Sequence, residues 1–149
     1  MNELASVPRL TVRRLIQAGA EELFDAWLDP ASMAVWMRPN GILRTEASTD
    51  PRVGGAYEIL MHQAERVLRH TGVYRRIERP RLLVFTWISP ATNESASLVT
   101  VEFLARDTGT EVVVTHEQLP DMDAVPSHVD GWTQALELLA GHWSQANPA

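Results

Sequence analysis

With 149 residues, 45% of them hydrophobic, the chain suits one domain (residues 1–149, core about 9–143) with its own core. It has no cysteine and all thirteen basic residues are arginine, which excludes disulfides, thiolate metal sites, a cysteine nucleophile and a lysine Schiff base. The net charge of −6 argues against a nucleic-acid partner. No apolar run approaches the roughly 20 residues that cross a bilayer, and Met1 to Pro8 carries no basic segment followed by an apolar core. Membrane insertion and secretion are therefore not expected, and cytoplasmic residence is the default.

Arg9 to Ile16 alternates apolar and polar residues and reads as a first strand. Glu21 to Leu28 has helical spacing at Leu23, Phe24 and Trp27, with acidic residues in its first turn, where the helix dipole favours them. Asp29-Pro30 then restarts a helix, with aspartate as N-cap and proline at the first helical position. That second short helix carries Met33 and Trp36 and stops before Pro39. Ile42 to Ala47 is expected as a second strand. Asp50 to Gly55 is a turn whose paired glycines permit positive φ or close backbone approach.

The following segments read as strands: Tyr57, Ile59 and Met61 alternating, Val67 to Ile77, Leu83 to Ile88, Ser97 to Ala105, and Thr110 to His116 after the Asp107-Thr108-Gly109 turn. Arg75, Arg76, Arg79 and Arg81 flank Pro80 at a strand-to-strand turn and read as a solvated rim. The chain closes with Val125, Val129, Trp132, Leu136, Leu139 and Trp143, whose steps of three and four define one face of a helix about 30 Å long. Strands with no helix between them pair as antiparallel neighbours. An antiparallel sheet followed by one long helix with two indoles on its buried face implies an α+β domain, its sheet curved around that helix.

Six stretches in order carry a resemblance. They are Trp27-Leu28-Asp29-Pro30 with Trp36; Asp50 through Gly54-Gly55; Pro80-Arg81-Leu82-Leu83-Val84-Phe85-Thr86-Trp87; Ser97-Leu98-Val99-Thr100-Val101-Glu102-Phe103; Gly109-Thr110 with Thr115-His116-Glu117; and Gly131-Trp132. Together the chain resembles the family named after the homologue of the activator of the heat-shock-protein-90 ATPase, within the START and birch-pollen-allergen-like superfamily. The resemblance implies a helix-grip fold: a seven-stranded antiparallel sheet gripping the C-terminal helix, with two small helices between strands 1 and 2. It also implies a cavity between sheet and helix that accepts lipids, polyketides or other hydrophobic small molecules. The namesake's co-chaperone activity is not carried over.

Inward positions at the open end of such a sheet include Tyr57, Ile59, Met61, His70, Tyr74, Phe85, Trp87, Val101, His116 and Trp132, with Trp36 near the mouth. This mostly apolar and aromatic set, with a few polar groups, has the composition of a small-molecule site, although the same side chains can simply fill a core. His70 beside Tyr74, with Gly72 between them leaving space for a ligand, is the one arrangement suited to proton transfer. His116 and His128 with Asp121, Asp123 and Asp130 lack a compact ligand pair, so no metal is expected; no cofactor-binding pattern is present either. The expected function is binding of a hydrophobic small molecule. The alternatives are a cyclase- or hydrolase-type enzyme using His70 and Tyr74, and a chaperone-related partner-binding module. Outward Leu60, Val73 and Val113 are candidates for a homodimer surface.

Overall fold

The computed structural model describes residues 8–146; the stretch read for a leader, residues 1–7, lies outside them. The strands are β1 (Leu10–Ile16), β2 (Arg44–Thr49), β3 (Ala56–His62), β4 (Val67–Glu78), β5 (Leu82–Trp87), β6 (Ser97–Arg106) and β7 (Gly109–Glu117). They form one antiparallel sheet in the order β1-β7-β6-β5-β4-β3-β2. Two seven-residue helices, α1 (Ala20–Ala26) and α2 (Pro30–Trp36), sit between β1 and β2. The 23-residue α3 (Ala124–Ala146) closes the chain in the grip of the curled sheet. This is the helix-grip architecture. No helix among the described residues is long and apolar enough to cross a membrane.

Local chemistry sets the corners. Asp29 caps α2 as its sequence suggests, its Oδ2 accepting from Ser32 N at 3.2 Å and from Ser32 Oγ at 2.8 Å. The β2–β3 turn uses its glycines differently: Gly54 takes φ +85°, whereas a Cβ on Gly55 would lie 2.1 Å from the Asp50 carbonyl oxygen. The expected second strand is displaced from Ile42–Ala47 to Arg44–Thr49, because Ile42 donates its N–H to Pro39 in a turn and is buried. Pro126 lies inside the first turn of α3, where a missing N–H costs nothing.

The core lies between sheet and helices. Leu23 and Phe24 of α1, Val99 and Val101 of β6, Val112 and Val114 of β7, and Leu136 and Leu139 of α3 are fully buried. Each large apolar side chain contributes about 1.5–3 kcal/mol on burial. Three of the four arginines around Pro80 are paired: Arg76 and Arg81 with Glu78, Arg79 with Asp25 and Glu21. Of the three outward apolar residues, Val113 is buried, lying between Arg13 and Glu102 across the sheet, while Leu60 is half-buried and Val73 exposed.

Candidate functional site

A band of indoles crosses the interior. Trp27 packs on Trp36 at 4.6 Å between ring centroids and stacks on Trp132 at 5.7 Å and 22°; Trp132 in turn meets Trp87 at 5.1 Å. On the far side of Trp87, a hydrogen-bonded chain fixes the sheet to α3. Trp132 Nε1–H donates to His116 Nδ1 at 3.1 Å, so the His116 proton must sit on Nε2. Nε2–H then donates to Ser97 Oγ at 2.7 Å, and Ser97 Oγ–H donates to the Trp87 carbonyl at 2.6 Å. Every link is satisfied only with a neutral imidazole, and burial pushes the His116 pKa down to about 3, with His128 opposing a charge there too.

Beyond the indole band, the sheet and helix diverge around a cavity of about 390 Å³, open at one end. Met37, Pro39, Asn40 and Ile42 of the α2–β2 loop form one wall; Met61, Gln63, Leu68 and His70 of the β3–β4 hairpin form another. Trp87, Ser89 and Ala91 lie at the end of β5 and the 3₁₀ turn that follows, and the first half of α3 supplies the rest, from Ser127 to Ala135. The Asn40 N–H donates to Gln134 Oε1 at 2.5 Å, tying the loop to the helix at the mouth.

Two imidazoles line this space with an acceptor unused, and two further polar atoms lie buried behind its wall. Trp87 Nε1–H is buried without an acceptor among the described residues, and so is the Ser89 hydroxyl proton. His70 Nδ1 lies 3.3 Å from the Ile59 carbonyl and His128 Nδ1 lies 2.7 Å from the Ala124 carbonyl. A carbonyl only accepts, so both Nδ1 atoms carry the proton and both Nε2 atoms are left as acceptors. Burial lowers the His70 pKa to about 4 and lowers that of His128 as well, so both rings are neutral near pH 7. Among the described residues, the single Asp, Glu or Arg on the lining is Asp130, exposed on α3.

Among the residues expected at a site, Met61, His70, Trp87 and Trp132 line the cavity. Tyr57, Ile59, Tyr74 and Phe85 surround a separate void of about 10 Å³, no larger than one water. Val101 is fully buried in the sheet, His116 is spent on the hydrogen-bonded chain, and Trp36 is fully buried with its Nε1–H donating to Ala26 O at 3.0 Å.

The space expected beside Gly72 for a ligand is filled by Tyr57. A Cβ on Gly72 would lie 1.9 Å from the Thr86 carbonyl oxygen and 2.6 Å from the Tyr57 hydroxyl. The β4–β5 ladder splays there: Tyr57 OH donates to Thr86 O at 2.5 Å, and Thr86 Oγ1 accepts from Val73 N at 2.9 Å. Tyr74 packs on Tyr57 and Phe85, and burial raises the pKa of its phenol well above the ordinary value. Both His116 nitrogens are engaged, so the edge-on His116–His128 pair, 4.9 Å between ring centroids, offers no paired metal ligands.

Several lining residues lie outside the set expected from the sequence. Leu68 and Ser89 stand two residues from His70 and Trp87 along their chains, and His128 stands four before Trp132 on α3, so period-two and helical spacing could have found them. The loop wall from Met37 to Ile42 carries no such signal.

Solved structures share this fold. A protein of Chromobacterium violaceum superposes with a TM-score of 0.81 at 22% identity, over 92% of this chain and 98% of that one. One from Rhodobacter sphaeroides gives 0.83 at 24%, over 95% of each chain, and one from Silicibacter pomeroyi gives 0.78 at 22%, over 93% and 99%. At these identities the likeness is one of fold. No curated protein matches the chain. Residues 17–143 match the family described as "Activator of Hsp90 ATPase homolog 1-like protein", and the chain belongs to that family.

Proposed function

We propose that the chain binds a hydrophobic small molecule in the cavity between the β3–β5 strands, the α2–β2 loop and α3. The observation that carries this reading is the pairing of an open space of about 390 Å³, walled mostly by apolar side chains, with the imidazoles of His70 and His128 on its lining, each keeping Nε2 as an acceptor. Ligand sites combine mostly apolar walls with a few polar groups in this way. Binding without chemistry is favoured over a cyclase or hydrolase acting through His70 and Tyr74. Tyr74 packs against Tyr57 and Phe85 outside the cavity lining, and a backbone carbonyl rather than a carboxylate orients His70.

Native mass spectrometry of gently purified protein, followed by denaturing extraction, tests the reading. A defined adduct of a few hundred daltons is expected, the order of size that fills a pocket of this volume. A clean unliganded mass, unchanged after exposure to a panel of lipids and polyketides, would overturn it.

A further inference from the structure

Resting on that reading, we infer that the cavity takes an organic cation, a protonated amine carried on an aromatic or other apolar body. The walls that meet the open space are electron-rich. Trp87 and Trp132 contribute indole rings, whose π faces attract cations, and Met37 and Met61 contribute thioether sulfurs. His70 and His128 spend Nδ1–H on the Ile59 and Ala124 carbonyls, so each neutral ring offers a lone pair on Nε2 and no proton. Asp130 adds a full negative charge. It stands one helical turn before Gln134, whose Oε1 accepts the Asn40 N–H, so it lies on the flank of α3 that borders the mouth.

Little on the lining answers a negative ligand. Among the described residues no arginine lines the cavity, and the chain has no lysine. Arg66 donates to Gln63 Oε1 at 3.1 Å from outside the lining, at an exposed position where water and salt screen it. The Trp87 indole N–H and the Ser89 hydroxyl lie behind the wall. The amides of Asn40, Gln63 and Gln134 carry no charge to balance either sign. A carboxylate or phosphate would therefore exchange water for lone pairs, π faces and the Asp130 charge. An ammonium makes the opposite exchange: its N–H groups find acceptors, and its charge finds the indoles and Asp130. The net charge of −6 draws cations toward the whole chain.

Titration calorimetry at about pH 7.5, where both imidazoles are neutral, tests this with three compounds of one ring system. The set is 1-naphthylmethylamine, an ammonium at that pH, 1-naphthylmethanol and 1-naphthoate. The ammonium should bind about tenfold more tightly than the alcohol, and the naphthoate more weakly than either. Because Asp130 is exposed, Asp130→Asn should narrow the ammonium-to-alcohol gap by about threefold, and raising the salt to about 0.5 M should narrow it similarly. Trp87→Phe keeps a ring with a weaker hold on cations and should narrow the gap too. An ammonium that binds no better than the alcohol or the naphthoate, or a gap unmoved by both Asp130→Asn and salt, would overturn the inference and leave the hydrophobic-site reading standing. Binding of none would count against both. The ligand series on the unmodified protein decides between these outcomes even if Trp87→Phe does not fold.

Discussion

Between about pH 6.5 and about pH 5 the chain should lose on the order of 4 kcal/mol of folding stability, through imidazoles that the fold keeps neutral. Unfolded histidine takes up its proton near pH 6.5. In the folded chain burial holds His116 unprotonated to about 3 and His70 to about 4. A histidine pKa lowered by folding means that the unfolded state binds more protons in that interval. The stability is therefore complete above about 6.5 and drains away as the pH falls toward the folded values. At about 1.36 kcal/mol per unit, each of the two groups accounts for roughly 2 kcal/mol by pH 5, and His128, also lowered, adds in the same direction. Asp25, Glu46 and Glu111 are held low by Arg79, His62 and Arg106 respectively, so their contributions persist through this window and fail only at lower pH. Urea unfolding followed by tryptophan fluorescence at half-unit pH steps reads the effect. In His116→Gln the slope of stability against pH should fall by about 1.4 kcal/mol per unit, one proton's worth, whatever the variant's starting stability. A stability that stays flat from pH 6.5 to 5, or a variant that keeps the full slope, would refute the neutral-chain assignment.

Gly131 lines the cavity and a Cβ there meets nothing within 4 Å, so Gly131→Leu should raise the melting temperature through about 1 kcal/mol of helix propensity while abolishing ligand uptake. A destabilised variant, or one that still carries an adduct in native mass spectrometry, would contradict that placement. Ser97→Ala strands the buried His116 Nε2–H and should cost about 1–3 kcal/mol in chemical denaturation. Gly72→Ala drives a methyl into the Thr86 carbonyl and should cost about 1–3 kcal/mol or more, by the same assay, with loss of protection at the Val73 amide in hydrogen exchange. Gln134→Ala removes the tie to Asn40 at the mouth and should speed ligand release in stopped-flow displacement more than it changes melting temperature.

The fold was legible because its signals are local and periodic. Period-two alternation located Tyr57, Ile59 and Met61 on one face of β3, and the three-and-four spacing of Trp132, Leu136 and Leu139 located the buried face of α3. Aspartate before proline marked the start of α2. The site was legible only as far as those faces go. Periodicity tells that Tyr57 and Met61 both point inward, but not that one fills a gap in the sheet and the other faces open space. That difference depends on what lies opposite: β4 and β5 splay beside Tyr57, while α3 and the loop at Ile42 stand away from Met61. Neither distance is encoded within the strand that carries both residues.

For the same reason the polar residues of this interior divide into two groups with opposite roles. His116 and Ser97 sit where the Trp132 indole and the Trp87 carbonyl are both within reach, and every donor there finds an acceptor. That set fixes the spacing of sheet and helix, and a ligand has nothing to gain from it. Trp87 takes part on both sides: its carbonyl closes the satisfied chain, while the residue also lines the cavity. A residue anchored by its backbone in a rigid network and lining the cavity is pre-organised for recognition. Its orientation is secured before any ligand arrives, so binding need not freeze it. Trp87→Phe therefore separates recognition from folding better than a change at His116, Ser97 or Trp132, each of which would loosen the frame and the wall together.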